Sequence, residues 1–245
     1  MPKLFAYGCS FTDYRWSTWA NILAKNLDHK LVQKGRQGCG NNFIHYRIKQ
    51  DIESKSIRPQ DKVRIMWCYP NRISKIIDYE NFEPTPETFD PKKQKQNLIQ
   101  SCNQIVEIEG LLLNNNIDYD FFCWLPDIKN EKLALYKPLK PSVYEIVFNN
   151  DWMSRLDRAI DLSGELVPKI IRKNITTKAK QKNLSFVEYI RSQPLDARLQ
   201  VILDIHPTPL QHLEYLQAIY PEMDWKSNLI DEIHRENQEV LSKVW

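Results

Sequence analysis

The sequence has no Cys-x-x-Cys pair. Its five cysteines, Cys9, Cys39, Cys68, Cys102 and Cys123, are odd in number and scattered, which argues against a zinc ribbon or a dithiol redox motif. Cys68, Cys102 and Cys123 stand in apolar surroundings and read as small core residues. No apolar run approaches the ~18 residues of a membrane span, and no basic-then-apolar leader opens the chain. A reducing, cytoplasmic setting without membrane contact is therefore expected. Internal repeats and low-complexity tracts are absent, and a formal net charge of +3 says little about partners. What is present is ordinary globular material. The 42% hydrophobic and 27% charged residues in 245 suit one large domain, or a domain with an insertion, around a core that needs no metal or disulfide staple.

The first half alternates in type. "KLFAYG" reads as a short buried strand, and Arg15 to Asn26 as a helix with Trp16, Trp19, Ala20 and Leu23 on one face. "KLVQKG" reads as a second strand, and the turn "RQGCGNN" leads into a helix over Phe43 to Ile52. "KVRIMWCY" is the third strand. After the proline-punctuated loop at 84–93, Asn97 to Leu113 has helical spacing and "YDFFCWL" follows as a fourth strand. The order predicts an α/β fold: a three-layer α/β/α sandwich around a central, mostly parallel sheet. Regularity fails over 126–200, with a helical stretch around Tyr144 to Ile160. A basic run from Lys169 to Lys182 follows, holding six Lys or Arg and no acid. The stretch reads as a helical insertion or lid within a single domain spanning 1–245. The basic run reads as a solvated helix face or loop, with a polyanion-binding patch such as a nucleic-acid site as the other reading.

Four short segments carry chemistry. "YGCSFT" delivers Ser10 to a turn directly behind the first strand, and a serine hydroxyl needs a base within reach to become a nucleophile. "DIHPTP" offers one. Thr208, Pro209 and Gln211 form a helix-start signature, so His206 stands in the loop just ahead of a helix, with Asp204 two residues before it. A carboxylate can fix the histidine tautomer and leave the other ring nitrogen to face a serine. The plainer reading is an Asp–His pair that only secures the loop. "GRQGCGNN" supplies free N–H groups and amides at a helix start, the donors that an oxyanion hole uses, or else Asn41 or Asn42 is an ordinary N-cap. "MWCYPNRIS" places Asn71 and Arg72 just past the third strand, where parallel sheets bind ligands. Two rivals stay open: Cys9 as a thiol nucleophile and His212, one turn inside the helix, as the base or a pocket residue. His29, His45 and His234 lack partners at metal-ligand spacing, so neither a metal nor an organic cofactor is expected.

These segments, in this order, resemble the SGNH (GDSL-like) hydrolase superfamily, and most of all its members common in bacteriophage genomes. The resemblance covers roughly 1–75 and 195–220. It implies a flavodoxin-like sheet, Ser10 as nucleophile and oxyanion donor, Gly38 as a second donor, His206 as base and Asp204 as its orienter. Three points depart from the pattern. Cys9 replaces the usual aspartate before the serine, the Gly-x-Asn-Asp block is not recognisable around Asn71, and Asp204 lies two rather than three residues before His206. Asn41 is the substitute polar donor.

The implied activity is hydrolysis of a small, acetyl-type ester, on a glycan for instance, by a Ser10–His206–Asp204 triad. Trp124, Trp152 and Tyr144 suit stacking on sugar rings or simply fill the insertion's core. An O-acyltransferase would use the same residues. A non-catalytic protein binding a glycan, a protein or a polyanion is the reading from a different class. If phage-encoded, the protein would act in the host cytoplasm.

Overall fold

The computed structural model describes residues 1–85, 90–126, 128, 133, 135–147, 169–192 and 206–244. The chain divides into two compact units, residues 1–147 with 207–243, and residues 148–206 with 244–245. In the first unit four strands, β1 (Lys3–Gly8), β2 (Lys30–Gly35), β3 (Lys62–Trp67) and a later strand over Asp118–Cys123, form one sheet. Helices α1 (Trp19–Asn26) and α2 (Asn41–Glu53) join the first three strands. A two-stranded hairpin, β4 (Ser74–Ile76) with β5 (Phe82–Pro84), and the long helix α3 (Pro91–Asn114) precede the last strand, β6 (Asp118–Cys123). Helices α4 (Val143–Val147), α7 (Pro209–Ile219) and α8 (Ser227–Val244) complete the run, α8 ending across the boundary between the units. In the second unit α5 (Lys169–Gln181) and α6 (Phe186–Arg191) pack on each other, with Lys182 over the Tyr189 ring. Among the described residues no helix is long and apolar enough to cross a membrane.

The sheet order is β2-β1-β3-β6 and every pair is parallel. Registers run in step: Gly8 pairs with Gly35, Tyr7 with Ile65, and Trp67 with Cys123. All four carboxyl ends therefore arrive at one edge. Between β1 and β3 the strand order reverses, which is where parallel sheets open a crevice for ligands.

Strands covered on both faces should be apolar nearly throughout, and Leu4 to Tyr7 and Ile65 to Trp67 are all buried. On one face the Phe122 ring meets Trp19 of α1 and Tyr215 of α7 edge-on, at centroid distances of 4.9 and 6.1 Å. On the other face Tyr7 donates to Asp51 of α2 at 2.5 Å, and Trp67 meets Phe121. One charge sits inside the first face. Arg64, 5% exposed, is held by Asp118 and Asp120, each at 3.1 Å, and the Tyr220 hydroxyl donates to Asp120. The expected α/β arrangement with helices on both faces is therefore present.

Elements differ from expectation where long-range partners intervene. Helix α1 starts at Trp19, not Arg15, because Thr18 ends the preceding loop: its N–H donates to Asn21 Oδ1 and its hydroxyl to the Thr12 carbonyl. Trp16 lies in that loop, with its indole N–H on the Pro207 carbonyl at 2.9 Å. Helix α3 begins six residues early, at an Asp90–Pro91 start in which Asp90 accepts from the Lys92 N–H. The β4–β5 hairpin is unanticipated. Tyr79, in its loop, donates to Asp51 Oδ2 at 2.6 Å, and Arg47 reaches Glu80. Residues 135–147, including α4, belong to the first unit, and of the stretch expected to be helical around Tyr144 to Ile160, residues 148–160 lie outside the described residues.

Phe122→Ala should destabilise the protein by about 3–5 kcal/mol in chemical denaturation, since its buried ring is shared by two helices. Burial lifts the Asp118 carboxyl, but Arg64, Lys137 and Lys62 outweigh it and hold it below its ordinary value. Its folded pKa is thus the lower one, so the pairing stabilises the fold above about pH 4 and fades as pH falls through the folded value. Denaturation midpoints of Asp118→Asn should accordingly sit below wild type at neutral pH and converge with it in acid.

Candidate active site

The site is built at the carboxyl edge of the sheet. Strand β1 ends at Gly8, whose φ of +155° and closeness to Thr12 exclude a side chain: a Cβ there would lie 2.0 Å from Thr12 Oγ1. The chain then turns tightly, with the Thr12 and Asp13 N–H groups both donating to the Cys9 carbonyl at 2.9 and 3.2 Å. Ser10 sits in this turn, 8% exposed. Among the described residues neither its hydroxyl nor its N–H has a hydrogen-bond partner.

Behind β2 the glycine turn is fastened to the same place. The Arg36 N–H donates to the Gly8 carbonyl at 2.9 Å, and the Cys39 thiol reaches that carbonyl at 3.4 Å. Gly38 takes φ +78° with nothing within 4 Å of a would-be Cβ, so the backbone conformation alone demands glycine there. Gly40 is different. It caps α2, and a Cβ on it would lie 2.0 Å from the Arg72 carbonyl oxygen. The cap is thus Gly40, not Asn41 or Asn42.

Asn41 is 0% exposed. Its amide donates to the Cys68 carbonyl at 3.0 Å and to Ser101 Oγ at 3.1 Å, while its oxygen accepts from the Cys68 N–H at 2.7 Å. Both amide hydrogens are committed, so the assignment of Asn41 as an oxyanion donor is corrected: it binds the end of β3. Asn71, in the loop after β3, is 7% exposed. Its Nδ2 donates to the Tyr69 hydroxyl at 2.9 Å, and its buried Oδ1 has no partner among the described residues. Arg72 is half-buried beside it, and its positive charge is felt at both Cys9 and Cys68.

Cys9, Cys39 and Cys68 meet beneath this edge, each at most 3% exposed. The Cys68 thiol lies close enough to the other two to interact with both. The interaction with Cys68, then burial, pushes the Cys9 thiol well above its ordinary range, and burial followed by Cys39 does the same to Cys68. A thiol held protonated and shielded is a poor nucleophile, which removes the rival reading of Cys9. Sequence reading missed this trio. Its signal is positional, because Cys9 and Cys68 each directly follow the last residue of neighbouring strands.

The far segment reaches the same unit. Thr208 and Gln211 form the predicted capping box, with the Thr208 N–H on Gln211 Oε1 at 2.9 Å and the Gln211 N–H on Thr208 Oγ1 at 3.4 Å. His212 is 1% exposed inside α7. Pro207 accepts from Trp16 in the loop that follows the Ser10 turn. His206, half-buried, is assigned to the second unit, and Asp204 lies outside the described residues. Trp124, just past β6, stacks on Phe11 at 4.0 Å and forms an aromatic pair next in sequence to Ser10; Trp152 lies outside the described residues.

No protein-family model and no curated protein matches the sequence. Among solved structures the chain is similar to a protein of the G-D-S-L lipolytic family from Desulfitobacterium hafniense DCB-2, at 19% identity over 50% of this chain and 59% of that one, with a TM-score of 0.34. It is similar to protein YXIM of Bacillus subtilis at 10% identity over 50% of this chain and 32% of that one, with a TM-score of 0.36. It is also similar to a catalytic mutant of Axe2, an acetylxylan esterase from Geobacillus stearothermophilus, at 16% identity over 92% of this chain and 95% of that one, with a TM-score of 0.40. The chain spans less than two thirds of the first two.

In the native protein at pH 8, iodoacetamide should modify the half-buried Cys102 well before Cys9, Cys39 or Cys68. Peptide mass mapping over time checks this, and rapid labelling of Cys9 would contradict the thiol assignment.

Proposed function

We propose that this protein is a serine ester hydrolase acting on a small, acetyl-type acyl ester, with Ser10 as nucleophile, His206 as general base and Asp204 orienting the histidine. The observation that carries the reading is the Ser10 turn. A strained strand end presents a hydroxyl at the switch point of a parallel sheet, with no hydrogen bond to any described residue. The Trp16–Pro207 bond gives further support, since it fixes the residue directly after His206 to the loop that Ser10 opens.

The chemistry follows from these groups. Ser10 Oγ attacks the ester carbonyl while His206 takes its proton, and the tetrahedral oxygen draws on the N–H groups of Ser10 and Gly38. Asn71 is the side-chain donor. Its Nδ2 carries two hydrogens and gives one to the Tyr69 hydroxyl, which leaves the second for the reacting oxygen. Each such donor is worth about 3 kcal/mol of barrier. His206 then protonates the departing alcohol and water clears the acyl group. An acylated glycan would place its alcohol side on the half-buried Trp124 ring, and a sugar hydroxyl in place of water would make the same residues a transferase.

A fluorophosphonate should label wild type and not Ser10→Ala, and hydrolysis of p-nitrophenyl acetate should fall by ~10³-fold or more in Ser10→Ala and His206→Ala. Asn71→Ala should lower kcat by ~10²-fold. Equal labelling of Ser10→Ala would overturn the assignment. A binding reading draws on α5, where Lys173, Lys178 and Lys180 are exposed. It would be favoured by steeply salt-dependent capture of a polyanion together with no turnover.

A further inference from the structure

The head of α2 carries two consecutive asparagines, and each holds one residue of the chain that follows β3 by a reciprocal pair of hydrogen bonds. Asn41 exchanges bonds with the backbone of Cys68, at 2.7 and 3.0 Å. Asn42 exchanges bonds with the backbone of Ser74: the Ser74 N–H donates to Asn42 Oδ1 at 2.9 Å, and Asn42 Nδ2 donates to the Ser74 carbonyl at 2.6 Å. A side-chain amide offers a donor and an acceptor side by side, as a peptide unit does, so each asparagine stands in for a missing strand neighbour. Successive helix positions point about 100° apart, which lets two adjacent residues reach points six residues apart in sequence. Between them Gly40 lets the Arg72 carbonyl come against its Cα, and the Gly40 N–H donates to Ser74 Oγ at 2.9 Å. Asn41 also ties the assembly to Ser101 of α3.

We infer that Asn41 and Asn42 are positioning residues that clamp both ends of the 68–74 loop to one helix terminus and so fix Asn71, the loop's donor to the reacting oxygen. This rests on the esterase reading above. Neither asparagine touches substrate, and both act through Asn71. Loop 68–74 is short and pinned at both ends and at its middle, so a displacement of the α2 head is passed to the Asn71 amide. The partner of that amide, Tyr69, lies inside the same clamp, and the Arg72 N–H closes a turn onto the Tyr69 carbonyl at 3.0 Å.

The test uses Asn42, which is half-buried, since Asn41→Ala would leave Cys68 unpaired in the core and threaten folding. Kinetics of Ser10-dependent ester hydrolysis are compared for wild type, Asn42→Ala, Asn71→Ala and the double variant, with hydrogen exchange of residues 68–74 alongside. Asn42→Ala should lose 10-fold or more in kcat with KM changed by less than 2-fold, and amides of 68–74 should exchange faster. In the Asn71→Ala background the same change should cost less than 2-fold, because the group it positions is gone. Asn42→Asp, which keeps the acceptor for the Ser74 N–H, should recover part of the loss. Equal kcat losses in both backgrounds would make Asn42 a stability residue and overturn the inference, as would unchanged exchange in Asn42→Ala. A wild-type protein with no Ser10-dependent turnover would instead overturn the esterase reading, and the catalytic role of the clamp with it, while hydrogen exchange would still report whether the clamp holds.

Discussion

The approach of the Arg72 carbonyl to the α-carbon of Gly40 sets the spacing from which the rest of the sheet's carboxyl edge follows. Any side chain at residue 40 would occupy the volume of that carbonyl. With hydrogen there, the segment leaving β3 lies directly on the start of α2, and bonds at three places lock the contact: amide to backbone at Asn41, amide to backbone at Asn42, and backbone to hydroxyl at Ser74. Of the N–H groups at the start of α2, this contact satisfies that of Gly40, on Ser74 Oγ. The position of the α2 start also decides where the Gly38 turn can lie, since that turn is the lead-in to Gly40.

The interior under this edge is made of soft, neutral groups. Three thiols fill the gap between the ends of β1 and β3. A protonated thiol packs as a small hydrophobe and needs no counter-charge, so the turn carrying Ser10 rests on a floor without a buried carboxylate. The molecule confines its buried ionic pairing to other places. One is the Arg64 cluster with Asp118, Asp120 and Tyr220, and another is the Asp51 network that receives hydroxyls from Tyr7 and Tyr79. Those networks tie β3 to β6 and to the residue after α7, and β1 and the hairpin loop to α2.

Local chemistry in the sequence was a good guide wherever the determining partners are neighbours. The apolar run KLFAYG marked β1 to the residue, and Thr208 with Gln211 announced α7 through a capping box whose two bonds both form. It was a poor guide where partners are remote. Trp16 has helical spacing with Trp19, yet its indole finds a carbonyl 191 residues away and stays in the loop. The hairpin at Ser74–Pro84 is polar and short, and what holds it, Asp51 and Arg47, lies on a helix already assigned a different task. At the site, Ser10 and the glycine turn could be read from residue type, because strained turns need particular residues. The true work of Asn41 could not, since an amide at a helix start suits a cap, an oxyanion or a backbone partner equally well until the third dimension chooses.

The bond between Trp16 and Pro207 has a consequence for the order in which the molecule can be made. Residues 207–243 belong to the same compact unit as residues 1–147, and α7 supplies the Tyr215 edge that covers Phe122. A nascent chain emerging at roughly 5–20 residues per second therefore exposes one face of the β1–β3–β6 sheet for many seconds before its cover is synthesised. During that interval the apolar face of Phe122 is open to other chains, and the Trp16 indole lacks its carbonyl partner. A half-covered sheet therefore persists until translation has passed α7, and the Trp16 contact is among the last within the first unit to form.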